Sequence, residues 1–182
     1  MKRKAGILAC SILLVVAGVH AQASHVESVK DESTISYHMS HPLHDFDAVS
    51  KEANYQVDLD PQTKEIRSVS VRIDVTSFNS GDSNRDSHAM EAIDAMSFPD
   101  VVFASSGITQ TGDSLRVSGN LTFHGITKPI AIPVMLTWSQ MRLDVRGGFD
   151  IKLSDFKIER PSLLLIPVKD DLKFSIVAAF RW

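Results

Sequence analysis

The stretch Val117-Ser-Gly-Asn-Leu-Thr-Phe-His-Gly-Ile-Thr-Lys-Pro-Ile130 carries the pattern from which the architecture can be predicted. Apolar and polar residues alternate before its glycine turn, and the alternation resumes after the turn as far as Trp138. A period of two is typical of a strand with one buried face, since successive side chains point to opposite sides. The sequence therefore predicts two long amphipathic strands that are joined by a hairpin at His124-Gly125.

The same alternation recurs on both sides of this hairpin. Five further segments show it clearly, and a sixth strand is expected to begin after Phe98-Pro99; the five are 35–39, 55–59, 69–75, 143–152 and 172–182. About eight strands with one apolar face each predict an all-β protein, either an antiparallel barrel or a sandwich. Many of the apolar residues are Val, Ile and Ala rather than large aromatics, which would leave room for a cavity inside a barrel.

One segment does not alternate. From Asp86 or Ser87 to Met96 (about 87–96) an Asp or Ser cap is followed by apolar residues at helical spacing. This pattern predicts one short helix that lies across an end of the β structure. We find no repeat, linker or low-complexity tract, so residues 24–182 are predicted to form a single domain.

Residues 1–23 have the layout of a secretory signal peptide. Met1-Lys-Arg-Lys4 is basic, residues 5–19 are mostly apolar, and Ala21-Gln-Ala23 offers small residues to a signal peptidase. We expect cleavage after Ala23, with Ala21 as the nearby alternative. A permanent transmembrane helix needs roughly 20 apolar residues, and this run is shorter and is followed by His20 and a polar chain. We therefore expect the mature chain to be periplasmic and to have no membrane span.

Removal of this segment changes both the cysteine count and the charge. The single cysteine, Cys10, lies within it, so no disulfide is expected in the mature domain. The loss of Lys2, Arg3 and Lys4 changes the net charge from −3 to −6. An acidic domain without a basic stripe is a poor candidate for binding nucleic acid.

Alternation alone does not say whether the apolar faces point inward to a core or outward to lipid. An outer-membrane barrel alternates in the same way, and the aromatic end of the chain, 174–182, resembles the last strand of such proteins. The mature chain, however, has only four Tyr and Trp residues for aromatic girdles, and prolines lie in or beside several strands. A barrel with an inward apolar face is therefore preferred, and the outer-membrane barrel is kept as an alternative.

Histidines at positions 38, 41 and 44 invite a metal-binding interpretation. Residues three apart on a strand point to opposite faces, and no cysteine or recognised carboxylate spacing accompanies them. The sequence therefore predicts no metal site, and residues 41–44 are interpreted as a polar loop at one end of the barrel.

Arg85-Asp-Ser-His88 places four functional side chains together at the start of the predicted helix. A catalytic interpretation would make His88 a general base. The structural interpretation makes Asp86 or Ser87 a helix cap and pairs Arg85 with a nearby carboxylate. No Gly-x-Ser-x-Gly elbow or similar catalytic motif is present, so we predict that the protein is not an enzyme.

The segment 159–167 begins with a charge pair and continues into an aliphatic run. Two interpretations stay open. The run either lines the opening of a barrel, where it would contact an apolar ligand, or closes one end of the barrel as part of the core.

Three blocks of the sequence occur in the order and spacing of a known family. They are Ser77-Phe-Asn-Ser-Gly-Asp-Ser-Asn-Arg-Asp-Ser-His88, Phe98-Pro-Asp-Val-Val-Phe-Ala-Ser105 and Gly119-Asn-Leu-Thr-Phe-His-Gly-Ile-Thr-Lys-Pro129. In these blocks the chain resembles the YceI family of secreted bacterial proteins. The resemblance covers nearly the whole mature chain.

The resemblance implies an extended, antiparallel, lipocalin-like β-barrel whose interior holds a long isoprenoid lipid, such as a polyprenyl phosphate or a quinone. The implied function is non-catalytic binding, transport or storage of that lipid in the periplasm, with no other cofactor. The inward faces of the strands supply the candidate ligand contacts, which are Val71, Ile73, Val75, Phe103, Leu121, Phe123, Val134, Leu136, Phe149, Phe174 and Ile176. A stress-related structural or interaction protein with a fully packed barrel is the second hypothesis, and the sequence gives no indication of the oligomeric state.

Overall fold

The computed structural model describes residues 24–163 and 165–182, so the predicted signal peptide, 1–23, lies outside the described residues. The strands are β1 (Ser24–Glu27), β2 (Thr34–Met39), β3 (Phe46–Ser50), β4 (Asn54–Asp60), β5 (Glu65–Asp74), β6 (Asp100–Thr111), β7 (Ser114–Phe123), β8 (Ile126–Ser139), β9 (Arg142–Lys152), β10 (Ser162–Leu163), β11 (Ile166–Pro167) and β12 (Asp171–Arg181). The helices are α1 (Ser83–Ala92) and three 3-10 helices, Lys30–Glu32, Val75–Ser77 and Leu153–Phe156.

Ten of the described strands form one curled antiparallel sheet in the order β1-β4-β5-β6-β7-β8-β9-β12-β2-β3, and β10 pairs with β11. The predicted all-β class, with an antiparallel barrel-like sheet and one helix, is confirmed. The sheet has two strands more than the alternation revealed. In β1 only Val26 is apolar, and in β3 the fully buried side chains are Ala48 and Ser50, while Val49 is 40% exposed. Neither segment shows an alternating apolar face, so both were missed.

The β7–β8 hairpin has the predicted turn. Phe123 pairs with Ile126, so that His124 and Gly125 form a two-residue loop in which both have positive φ angles, 48° and 70°. Two positive φ angles match the right-handed twist of paired strands, and glycine adopts such an angle without strain. The His124 side chain also contacts the carbonyl oxygen of Phe156 through Nδ1, at 2.9 Å. The hairpin tip is thereby attached to the last 3-10 helix.

The curled sheet is closed along its seam by contacts outside the regular ladders. Ser28 bridges to Phe180, and the N–H of Val29 donates to the carbonyl of Ala179 at 2.8 Å. On the other edge, Val49 and Asn79 exchange two backbone hydrogen bonds of 3.0 Å. These contacts join the edge strands β1 and β3 to the rest of the molecule.

Apolar side chains fill the interior of the curled sheet, so the apolar faces point inward. The end of the interior near the start of β9 is tightly packed, since Leu59, Leu143 and Phe180 are at most 2% exposed. At this end Glu32 pairs with both Arg142 and Arg181, and Arg142 also pairs with Asp144. The opposite end is closed less completely, by α1 and by the loops around it.

The helix begins and ends earlier than the sequence predicted. Asp82, not Asp86 or Ser87, is the N-cap, and its carboxylate accepts hydrogen bonds from the N–H groups of Asn84 and Arg85. Asp86 instead accepts from the N–H of Ser80, and Met96 is 98% exposed beyond the helix end. Two aspartates four residues apart both suit a cap; Asp82 caps the helix, and the Asp86 carboxylate bonds the backbone of the preceding loop instead. In the described part of the chain, no helix has the length and hydropathy needed to cross a membrane.

Four aspartates at or beside the ends of strands and helices accept hydrogen bonds from N–H and hydroxyl groups, and these bonds lower the pKa of each carboxyl. They are Asp60 with the N–H groups of Gln62 and Thr63, Asp74 with the hydroxyl and N–H of Thr76, Asp82 with the N–H groups of Arg85 and Asn84, and Asp170 with the hydroxyl and N–H of Ser154. A carboxyl whose pKa is lowered on folding stabilises the fold above its unfolded pKa. That contribution is lost as the pH falls through the folded value.

We therefore expect the thermal unfolding midpoint to stay level down to a pH of about 4, the unfolded value for Asp, and to fall steadily below it. Circular dichroism melts across the acid range would measure this. Asp170→Asn should lower the midpoint at neutral pH and flatten its acid dependence, because the substituted side chain no longer titrates. A midpoint that stays constant to a pH of about 2 would contradict the prediction.

Candidate functional site

A cavity of about 370 Å³ lies inside the sheet at the end that α1 covers. This volume is within the range of small-molecule pockets, about 300–1,000 Å³. Its wall is mainly apolar, and its exposed lining residues, among them His44, Asp82, Asn84 and His88, lie together at one end. We call this end the mouth; it is bordered by α1, by residues 41–46 and by residues 161–162.

The structure places nine of the eleven candidate ligand contacts in the wall of this cavity. They are Val71, Ile73, Val75, Phe103, Leu121, Phe123, Phe149, Phe174 and Ile176. Val134 and Leu136 do not reach it; they line a second void of about 60 Å³ nearer the packed end. Alternation identifies the inward face of a strand, but it does not tell at which level along the barrel axis a residue lies. The two residues were selected for the inward face, and they lie on it at a level nearer the packed end.

An aromatic row crosses three neighbouring strands of the cavity wall. Phe174 of β12 pairs directly with Phe149 of β9 and with Tyr37 of β2. The rings of Phe149 and Phe174 stack with centroids 5.0 Å apart, and the ring of Tyr37 is 6.3 Å from that of Phe174 and 5.2 Å from that of Phe78. Such contacts hold the rings in place and form a rigid apolar surface.

The charged side chains at the mouth come from the start of α1. The guanidinium of Arg85 lies over the ring of Phe46, 4.6 Å from its centroid, and one of its nitrogens is 3.5 Å from the Asp82 carboxylate. The predicted pairing of Arg85 with a nearby carboxylate is therefore confirmed. His88 is exposed and lies on the same rim. The sequence cluster thus has structural contacts and also borders the cavity, and a strand-based analysis could not show the second property.

His41 is buried at the mouth, and both of its ring nitrogens have hydrogen-bond partners. Its Nδ1 accepts from the N–H of Leu43 at 3.1 Å, so its Nε2 carries the proton and donates to the carbonyl of Ile166 at 2.9 Å. His38 pairs with Asp47 at 2.9 Å. Within the described residues, no three His, Cys, Asp or Glu side chains are placed to hold one metal ion.

The segment 159–167 borders the mouth, as one of the two interpretations predicted. Pro161 and Ser162 line the cavity, β10 and β11 form a small hairpin, and Leu165 in its turn is 96% exposed. The hairpin is attached to the loop after β2 by the bond from His41 to Ile166 and by a second from the N–H of Lys169 to the carbonyl of Ser40. An exposed turn of this kind does not close the core.

Further lining residues were not among the eleven candidate ligand contacts; some lie on α1, on loops or on 3-10 helices, and others lie on strands that the alternation had identified. They include Tyr37, Phe46, Tyr55, Phe78, Ala89, Met90, Ile93, Leu153, Ile158 and Val168. Two signals could have found part of this set. The alternation in 35–39 and 55–59 placed Tyr37 and Tyr55 on an apolar face, and the helical spacing selected Ala89 and Ile93 as the apolar face of α1.

Comparison with known proteins agrees with this architecture. A protein-family model described as "YceI-like domain" matches residues 26–180. The chain belongs to the YceI family. Two curated relatives are a UPF0312 protein of Enterobacter sp. (strain 638), 25% identical over 166 residues and 86% of each chain, and Protein YceI of Salmonella arizonae, 33% identical over 98 residues, which are 50% of this chain and 51% of the other.

Solved structures share the fold of this YceI-family chain. The crystal structure of BcnA from Burkholderia cenocepacia superposes with a TM-score of 0.75 at 24% identity and covers 84% of this chain and 98% of its own. A polyisoprenoid binding domain from Saccharophagus degradans, implicated in plant cell wall breakdown, gives a TM-score of 0.67 at 14% identity and covers 88% of this chain and 99% of its own. At these identities the likeness concerns the fold.

The two tyrosines of the chain both line the cavity, and the pKa of each hydroxyl is raised. Burial raises the pKa of Tyr37 to about 12; the Asp86 carboxylate adds to the rise, and Arg85 opposes it. Burial also raises the pKa of Tyr55, whose hydroxyl donates to the carbonyl of Thr34 at 3.3 Å. Because the folded values lie above the unfolded ones, the contribution of these groups to stability is present below a pH of about 10. It is lost as the pH rises through the folded values.

We expect the folded protein to show almost no phenolate absorbance at a pH of about 10, where unfolded tyrosine is half ionised. Tyr37 should be half ionised only near pH 12, and its ionisation should coincide with alkaline unfolding. Spectrophotometric titration alongside circular dichroism would measure both, and Tyr37→Phe would report Tyr55 alone. A tyrosine that titrates near its ordinary pKa while the fold is intact would contradict the assigned burial.

Proposed function

We propose that this protein binds one apolar lipid, of isoprenoid or quinone type, inside the sheet and transports or stores it in the periplasm without catalysis. The observation that carries the proposal is the cavity of about 370 Å³, which has a mainly apolar wall and one opening toward exposed polar residues. The periplasmic location rests on the signal-peptide pattern of residues 1–23.

Family membership supports a binding function. A structural neighbour with the same fold is a polyisoprenoid binding domain, and we extend that ligand class to this chain. The extension is consistent with the wall, because branched apolar chains fit surfaces of Val, Ile, Leu and Phe side chains, of which this wall mainly consists.

Apolar burial is sufficient to explain affinity. Removal of a lipid tail from water contributes about 0.8 kcal/mol for each buried CH₂ group. A cavity that is already formed and held by stacked rings requires little rearrangement, so most of this free energy is available for binding. No charged partner deep in the cavity is required.

The polar residues suit a headgroup that stays at the mouth. Asn84, Arg85 and His88 lie on the rim, while the deeper wall is made of apolar side chains and the two tyrosines. A lipid would then enter tail first and leave its polar end near solvent. The Arg85 guanidinium has donors beyond the one directed at Asp82, and these could bond a carbonyl or phosphate oxygen of the headgroup.

The bonding of Asp82, Asp86 and His41, which lie at or beside the mouth, supports binding without catalysis. Asp82 caps α1, Asp86 accepts from the N–H of Ser80, and both nitrogens of His41 are engaged. A general base needs a nitrogen or oxygen that is directed at a substrate, and these three groups are directed at the backbone.

Blocking the cavity from α1 tests the proposal with little risk to the fold, since α1 contains no buried residue. Ala89 lines the cavity, and Glu91 is exposed on the same helix and does not line it. Ala89→Trp should place an indole in the cavity and reduce the bound lipid about tenfold or more, whereas Glu91→Trp should leave it unchanged. The measurement is lipid mass spectrometry after gentle purification from an osmotic-shock extract.

Uptake of an added polyprenol and an added quinone by the purified variants provides a second measurement. If the wild-type protein carries no lipid and takes up neither compound, the lipid-binding proposal fails and the packed structural protein becomes the better hypothesis. Equal loss of lipid in Ala89→Trp and Glu91→Trp would place the binding site elsewhere. Recovery of the protein only in detergent extracts would contradict the periplasmic location.

A further inference from the structure

The cavity ends at a layer of five side chains, which we call the floor: Tyr55, Val71, Phe103, Ile132 and Ile176. All five line both the main cavity of about 370 Å³ and the second void of about 60 Å³. The void is lined by apolar side chains, and its further walls include Leu115, Leu136 and Phe180. The floor therefore separates two empty volumes.

Three of the floor residues form one row across the sheet. Tyr55 pairs with Val71, and Val71 pairs with Phe103. Tyr55 is held in place by its hydroxyl, which donates to the Thr34 carbonyl across the seam. Phe103 has no polar atom in its side chain, so packing alone holds its ring.

The ring of Phe103 occupies the space left by a glycine on the adjacent strand. A Cβ atom at Gly119 would lie 2.5 Å from Cζ of Phe103 and 2.7 Å from Cε2, far inside van der Waals contact. Because Gly119 has no side chain, the Phe103 ring can lie against the inner face of β7. The ring and the glycine together keep the floor closed between β6 and β7.

The volume above the floor limits the tail that can enter. An apolar cavity of about 150 Å³ accepts benzene, so about 370 Å³ accepts on the order of fifteen carbons, or roughly three isoprene units. A longer tail requires either that its end stays outside the mouth or that the floor opens. Rotation of Phe103 away from Gly119 would join the two volumes.

We propose that the floor sets the length of the lipid tail and that Phe103 is the specificity-determining residue. The proposal rests on the lipid-binding function proposed above and narrows its ligand class. Tails of about three isoprene units fill the cavity with the floor closed. Longer tails gain affinity only when Phe103 leaves its position.

Competitive displacement of diphenylhexatriene by geraniol, farnesol, geranylgeraniol and solanesol tests this proposal. For the wild-type protein, affinity should rise from geraniol to farnesol and then level off. Phe103→Ala should bind geranylgeraniol about tenfold more tightly than farnesol, because the joined volumes can bury the additional isoprene unit. Phe103→Leu should show a smaller preference for geranylgeraniol over farnesol. It replaces the alanine variant in the test if that variant does not fold.

Phe123→Ala is the matched control. Phe123 is 6% exposed and lines the main cavity but not the second void, while Phe103 is 4% exposed and lines both. Both substitutions enlarge the main cavity by one phenyl ring, and only the change at Phe103 should also add the second void, so the length limit should move further in Phe103→Ala than in Phe123→Ala. If the affinity of the wild-type protein continues to rise to solanesol, the floor does not limit tail length. The same conclusion follows if both variants show the same dependence of affinity on tail length. Absence of binding by every alcohol to every folded variant would instead overturn the lipid-binding function.

Discussion

The inner face of one curled sheet must be covered by the side chains of that sheet, and the rest of the structure depends on this constraint. Helix α1 contributes no buried residue, so no second layer covers the face in the described part of the chain. At the end near the start of β9, side chains such as Leu143 and Phe180 meet across the interior and exclude solvent. At the opposite end the side chains stand farther apart and α1 covers the gap, which leaves the cavity.

This constraint explains why the sequence predicted most of the fold. Long strands must keep one face apolar, and the period of two in β5, β7, β8 and β12 is therefore visible without a structure. The turn at His124-Gly125 was equally visible, since few residues adopt two consecutive positive φ angles. Edge strands are under weaker constraint. The inner face of β3 uses Ala48 and Ser50, whose small side chains give no apolar signal.

The candidate site was predictable to the same extent as the inner face. Residues such as Ile73 and Phe174 were found because they point inward, and Val134 and Leu136 were included for the same reason although they lie below the floor. Depth along the barrel axis depends on strand register and strand tilt, which a single sequence does not specify. The mouth was predictable in part, since residues 41–44 were assigned to one end of the barrel and residues 159–167 were offered as lining its opening. The position of Arg85 beside the cavity was not predictable, because it depends on how loops bring α1 against the end of the sheet.

Phe103 and Gly119 show how one sheet combines a packed half with an open half. Glycine inside a strand is unfavourable by propensity, since it loses backbone entropy and packs nothing of its own. Here the missing side chain admits the ring of a neighbour, and that ring closes the packed half against the cavity. Empty volume costs dispersion contacts in the ligand-free protein, and an occupant would restore them. The floor confines most of that empty volume to the side that opens at the mouth, so the packed half can stabilise the fold whether or not the cavity is filled.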